Sequence, residues 1–293
     1  MKKLLALILT VLMLMSVVAC DSETQSDNGT NSSQSQNKNS KEITFDGLVA
    51  IDNAECTVKV TEIDPDNMWG YTLKVQLENK SDDKTYMFSV QDAAINGVQC
   101  DPFFATEVAA GKKSNEQISF TKGELDKNGI KDYTDIELSF RVYDSDDWMS
   151  DDVAKETVHI YPYGEENATK FVRTSQTTDT VLVDNEYVTV IVTGYENDDV
   201  WGYTAKLFLL NKTDKNVMFS VDEASVNGYM ADPFFATSVS SGKCAFSSMS
   251  WSDSTLEENG ITDVEEIEFN LRVYDEDNWL SDDLVNKTVT LIP

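Results

Sequence analysis

Residues 69–80 read Trp69-Gly70-Tyr71-Thr72-Leu73-Lys74-Val75-Gln76-Leu77-Glu78-Asn79-Lys80. Residues 201–212 read Trp201-Gly202-Tyr203-Thr204-Ala205-Lys206-Leu207-Phe208-Leu209-Leu210-Asn211-Lys212. In the first stretch Tyr71, Leu73, Val75 and Leu77 fall at every second position. In the second, Tyr203, Ala205, Leu207 and Leu209 do the same. A period of two puts one face of a strand on a core and the other in water, the habit of antiparallel sheets. The stretches are 132 residues apart, and the match extends outward. Met87-Phe88-Ser89-Val90 returns as Met218-Phe219-Ser220-Val221, now 131 residues on, so one residue is lost in the intervening turn. Asp101-Pro102-Phe103-Phe104-Ala105-Thr106 returns as Asp232-Pro233-Phe234-Phe235-Ala236-Thr237, and Arg141-Val142-Tyr143-Asp144 as Arg272-Val273-Tyr274-Asp275. A period of this length is a whole domain, not a solenoid unit.

The same alternation marks Cys56, Val58 and Val60; Tyr86, Phe88 and Val90; Ile118 and Phe120; Ile136, Leu138, Phe140 and Val142; and Val158 and Ile160. The second copy keeps the phase at Val188, Val190 and Val192 and at Ile267, Phe269, Leu271 and Val273. Asn96-Gly97 and Asn227-Gly228 are hairpin turns, because both residues of a tight primed turn need positive φ. One short helix is expected per copy. Ser254 is its N-cap, Glu257 the capping-box partner and Gly260 the left-handed stop, with Gly123 to Gly129 as the counterpart. About seven strands per copy predict an all-β chain of two tandem immunoglobulin-like antiparallel sandwiches. A small closed barrel is the other option. The boundaries follow: leader 1–20, polar tether 21–46, first repeat 47–162, linker 163–180 and second repeat 181–293. Tyr163, Phe171 and Val172 are the linker residues able to dock, which predicts limited hinge freedom.

Composition narrows the function. Acidic residues number 52 and basic residues 23, a net charge of −29 with a single histidine. Such a surface excludes nucleic acid as a partner, since phosphate binding needs cations. One histidine leaves no His-rich metal site. No phosphate-cradling glycine loop, nucleophile elbow or Cys-x-x-Cys is present. A carboxylate-pair enzyme is compatible with composition, but no pair is nominated. The expectation is a non-catalytic chain with neither cofactor nor bound metal.

Lys2 and Lys3 precede an apolar run from Leu4 to Met15 and then Ser16-Val17-Val18-Ala19-Cys20. This is the plan of a secretory signal peptide, too short for an ordinary membrane span. The Val17-Val18-Ala19-Cys20 ending resembles the bacterial lipobox, which implies that Cys20 is diacylated and becomes the first residue after cleavage. The expected place is the extracytoplasmic face of the cell membrane, held by lipid alone. Loss of Lys2 and Lys3 takes the charge from −29 to −31, a surface that anionic lipid repels. The Ser-, Asn- and Gln-rich segment that follows has almost no apolar side chain to offset its ordering entropy.

The lipobox, the tether and the tandem β-domain with Glu78-Asn79-Lys80-Ser81-Asp82 between strands resemble repeat lipoproteins of Gram-positive bacteria. Their modules are immunoglobulin-like and of unknown function. The resemblance implies a surface address and carries over no catalytic residue.

Candidate binding residues come from two recurring sets. Asp144, Asp146, Asp147, Asp151 and Asp152 surround Trp148, and Asp275, Glu276, Asp277, Asp282 and Asp283 surround Trp279; Trp69 and Trp201 have Asp64, Asp66, Asp198 and Asp199 nearby. These loops nominate a calcium-assisted carbohydrate or peptide binder, although the spacing is no EF-hand. The plain alternative is a pair of solvated acidic hairpins. The aromatic set adds Phe103, Phe104, Phe234 and Phe235, which either anchor a surface glycan or protein or plug the sandwich ends. Exposed, convergent Trp and Asp would mark the binder; buried Trp and splayed acids would mark a spacer. Cys56 and Cys100 are both replaced in the second copy, by Val188 and Ala231, so they are either a disulfide or small apolar filler. Arg141 and Arg272 share one strand position and are expected to pair with carboxylates. His159 is expected to point outward, and since the sequence suggests no partner for it, it is not read as a triad member.

Overall fold

The computed structural model describes residues 41–278 and 280–293. It is almost entirely β, with 54% strand and 6% helix. In the first repeat the strands are β1 (Leu48–Asp52), β2 (Cys56–Asn67), β3 (Gly70–Asn79), β4 (Tyr86–Ile95), β5 (Val98–Cys100), β6 (Ala105–Val108) and β7 (Lys113–Phe120). Helix α1 (Lys122–Lys127) follows, then β8 (Ile136–Asp144) and β9 (Ala154–Ile160). The second repeat has β10 (Thr180–Asp184), β11 (Val188–Asp198), β12 (Gly202–Asn211), β13 (Val217–Val226), β14 (Tyr229–Met230), β15 (Ala236–Val239) and β16 (Cys244–Trp251). Helix α2 (Asp253–Glu258) precedes β17 (Ile267–Asp275) and β18 (Val285–Leu291).

Each repeat packs two sheets face to face. The first has the order β1-β2-β3-β7, and the facing layer has β5-β4-β8-β9 with β6 also on β4. The chain crosses between layers after β3, after β6 and through α1, the A-B-E against C-F-G plan of an immunoglobulin-like sandwich. The first repeat has nine strands where about seven are expected: the hairpin strand β1 and the short β5 and β6 join six longer ones. The inward residues are those of the alternation: Val58, Leu73, Val75, Leu77, Phe88, Ile118, Phe140 and Val142 are all buried. Val190, Leu207, Leu209, Phe219, Phe269 and Val273 form the matching core of the second repeat.

Turns follow their residues. Asn96 and Gly97 sit at φ 53° and 82°, and Asn227 and Gly228 at 50° and 80°. The Asn96 carboxamide also accepts from the backbone N–H groups of Thr134 and Asp135, fixing the approach to β8. The N-cap of α2 is Ser252, not Ser254; its hydroxyl accepts from the Thr255 N–H at 3.2 Å. Trp251 ends β16 fully buried, so the helix must begin at once. Gly260 does take the left-handed stop, φ 70°.

Other expectations need correction. Residues 41–46 are not free tether: Thr44 donates to the Pro162 carbonyl at 2.9 Å, and Ile43 and Phe45 pack on the first core. The leader, the lipobox with Cys20 and the rest of the tether lie outside the described residues. Among the described residues no helix is long and apolar enough to cross a membrane. Cys56 and Cys100 are free thiols. Cys56 pairs with Asn79 at one end of the sandwich, and Cys100 pairs with Ala93 near the other, on the opposite sheet. In the linker Phe171 docks on the first core, whereas Val172 stands exposed.

The repeats are joined by more than the linker. Strand β16 pairs in parallel with β5 at Cys244 and Val98, so one nine-stranded sheet runs through both repeats. Phe208 and Cys244 are buried in the first repeat's core cluster, with Ile191, Leu210 and Phe246 packed beside them. All five side chains lie on the outer face of the second repeat's first sheet. The same positions in the first repeat are Gln76, Lys113, Lys59, Glu78 and Asn115. One copy therefore carries an apolar outer face and the other a polar one. Gln99 adds two bonds across the junction, to the Ser238 carbonyl and from the Ser240 N–H, both at 2.9 Å. Lys243 reaches Glu137, which His159 also approaches, 3.5 Å away.

Candidate functional site

The Trp-Gly turns come first. Gly202 has φ 76°, and a Cβ there would lie 2.3 Å from the Trp251 carbonyl oxygen. Gly70 is held alike, with φ 116° and a Cβ position 2.1 Å from the Phe120 carbonyl oxygen. The close approach forces glycine after each tryptophan and turns the indole outward. Asp198 completes the turn by accepting from Val200 and Trp201 N–H groups at 2.8 and 2.9 Å. Those bonds hold its carboxyl below the ordinary carboxylate range.

Trp69, Trp148 and Trp201 are 67%, 65% and 55% exposed, so they do not plug the sandwich ends. Trp279 lies outside the described residues. In the first repeat Trp69 and Trp148 do not converge. Trp69 precedes β3, whereas the Trp148 loop sits beyond its far end: Asn79 donates to the Lys84 carbonyl and Lys84 pairs with Asp144. A ten-residue strand separates the two, about 30 Å at the usual rise.

The acids are splayed. Asp144 faces the Lys84 ammonium at 3.0 Å and accepts from the Asp146 N–H at 3.1 Å. Asp275 is buried, faces Lys215 at 2.6 Å and accepts from the Asp277 N–H at 3.1 Å. In both cases the lysine is the main cause of a lowered carboxyl pKa. Arg141 holds Asp152 at 2.7 Å, and Arg272 holds Asp283 with two bonds of 2.9 Å. Both arginines also lie over the tyrosine two residues on. Among the described residues no group of three or more His, Cys, Asp or Glu side chains is arranged to hold a metal. Asp144, Asp152, Asp275 and Asp283 are thus each tied to a cation of their own repeat. The structure gives His159 a partner that the sequence does not suggest: its Nδ1 meets Asp135 at 2.7 Å.

One end of the second repeat does gather a site. The Trp201 and Phe234 rings lie 5.9 Å apart at 44°. Phe234 is 78% exposed, yet its backbone is clamped to β16 by N–H donation to the Ser250 carbonyl at 2.7 Å. Beside the rings is an open recess of about 450 Å³ walled by Thr237, Ser247, Ser248 and Ser250, with no charged side chain in its lining. Volumes of that size are within the usual range for small-molecule sites. Thr237 and Ser247 share a hydroxyl bond of 2.7 Å, as do Ser250 and Thr204 at 2.8 Å. In the first repeat Glu116 and Gln117 replace Ser247 and Ser248. Phe103 there is 91% exposed with a left-handed φ of 44°. The repeated sequence thus hides two different surfaces. The missed signal was the pair of serines where the first copy has Glu and Gln.

No protein-family model matches the chain, and no curated protein matches it. Solved structures offer only distant likeness. The YadV chaperone is similar at 10% identity and a TM-score of 0.24, covering 75% of this chain and 92% of that one. A protein of unknown function from Porphyromonas gingivalis W83 is similar at 10% identity and a TM-score of 0.21, covering 84% and 97%. Likeness at these scores carries neither topology nor role to the present chain.

Proposed function

We propose a lipid-anchored, non-catalytic protein of the extracytoplasmic membrane face, whose two sandwiches act as one stiff arm for binding or spacing at the cell surface. The observation that carries this is the sealed junction at β5 and β16. Apolar side chains appear on the outer face of one copy only, where they meet the other copy. Burying Phe208 and Cys244 favours a fixed angle over a free hinge. The lipobox-like Val17-Val18-Ala19-Cys20 supports the anchor. Exposed indoles at loop ends support binding above pure spacing, and the Trp201–Phe234 recess is the specific observation for it. Lysines and arginines engage Asp144, Asp152, Asp275 and Asp283, which favours rings and hydroxyls over these acids as the binding groups.

Cell fractionation tests the role. The wild-type chain should take up labelled fatty acid and stay with the membrane, while Cys20→Ala should be unlabelled and released. Label on the Cys20→Ala chain, or turnover of glycosides, esters or peptides by the purified protein, would contradict it.

A further inference from the structure

We infer that the recess at the Trp201–Phe234 end of the second repeat binds a neutral saccharide. This rests on the surface-binding role proposed above and names its ligand class. Three observations point the same way. The rings are exposed, close and held by backbone bonds at Asp198 and Ser250, so a platform exists before any ligand arrives. The axial C–H face of a pyranose is apolar and packs on such rings, while its rim of hydroxyls needs hydrogen-bond partners. The wall supplies those partners from Thr237, Ser247, Ser248 and Ser250. Each hydroxyl has one donor and two acceptor positions. Thr204 donates to the Gly202 carbonyl, so Ser250 donates to Thr204 and keeps acceptor positions only, while one of the Thr237–Ser247 pair keeps a proton to give.

Charge decides between ligand classes. Charged residues make up 26% of the chain, yet none lines this recess. A chain of net charge −29 repels sulfated and uronic-acid glycans. A peptide anchored by charged side chains finds no counter-ion here. An uncharged polyol with an apolar face matches what is present. The first repeat lacks the same wall, since Glu116 occupies the Ser247 position. One site per chain follows, at the second repeat.

The test uses the full chain purified in detergent, titrated with cellohexaose, chitohexaose, maltohexaose and xylohexaose by calorimetry and tryptophan fluorescence. At least one should bind with one site per chain and shift the emission. Trp201→Ala and Phe234→Ala should each weaken binding at least tenfold with unchanged melting temperature, while Trp69→Ala binds as wild type. Ser248→Glu, an exposed position, should also weaken it at least tenfold. No binding by any of the four, binding unmoved by Trp201→Ala, or preference for heparin or a peptide library at this recess would overturn the assignment. Cleavage of a bound hexaose, seen by mass spectrometry, would instead overturn the non-catalytic role and leave the recess as its place.

Discussion

The Cys244 N–H donates to the Gly97 carbonyl at 3.1 Å. That bond joins a strand of the second repeat to the hairpin turn of the first, at the turn's positive-φ glycine. Around it Phe246 meets Phe208 at 5.4 Å and Phe171 of the linker at 5.8 Å. Arg173 lies 5.5 Å over Phe208 while Asp179 takes two of its N–H groups at 2.6 Å. The linker is therefore part of the joint: Phe171 and Arg173 pack onto the second repeat's rings, and the Arg173–Asp179 pair fixes the linker's own fold.

Giving the second repeat the first repeat's outer face should open the joint. Phe208→Gln with Phe246→Asn should remove roughly 2–3 kcal/mol of coupling, as expected for a large side chain returned to water. Scanning calorimetry should change from one transition to two. A single transition at the wild-type temperature would count against a cooperative joint.

Asn211 is fully buried and its amide donates to the carbonyls of Lys215, Val239 and Ser240 at 2.6, 2.9 and 3.1 Å. Asn79 holds the same corner in the first repeat through Lys84 and Val108. Asn211→Ala leaves buried carbonyls unpaired and should cost about 1–3 kcal/mol. Urea unfolding should show a lower midpoint at unchanged slope; an unchanged midpoint would mean water replaces the amide.

The Arg272 guanidinium is the main cause holding the Asp283 carboxyl below its ordinary value. The native state then takes up this proton less readily than the unfolded chain. The pair's stabilisation is complete above the unfolded carboxylate value, about 3.9, and fades as pH falls through the lower folded value. Arg272→Met should melt several degrees below wild type at pH 7, and the gap should close by about pH 2. A gap constant across that range would contradict an ionic origin.

Burial pushes the Cys56 and Cys244 thiols up to about 11 and Cys100 up to about 12. Thiolate is the reactive form, so all three should resist iodoacetamide at pH 8 until the chain is unfolded. Intact mass should be the same with and without reductant. A two-dalton gain on reduction would reveal a disulfide.

Much of the architecture was readable because it rests on local rules. Alternation at Tyr71–Leu77 named the buried face, and Asn-Gly named both hairpins. The helix cap slipped by two residues because Ser252 and Ser254 are both good caps, and only the buried Trp251 decides between them. The joint was legible in principle in Lys113 against Cys244, Gln76 against Phe208 and Asn115 against Phe246, differences that repeat matching sets aside. In the acidic loops the sequence shows the carboxylates but not that Lys84, Lys215, Arg141 and Arg272 pair with Asp144, Asp275, Asp152 and Asp283. A strand's length separates Trp69 from Trp148, and spacing along the chain does not show it.

The stiff two-sandwich arm is tested most directly by ¹⁵N relaxation on the whole protein. One rotational diffusion tensor should fit the amides of residues 48–160 and 180–291 together. Two separate correlation times for the two repeats would contradict the sealed joint.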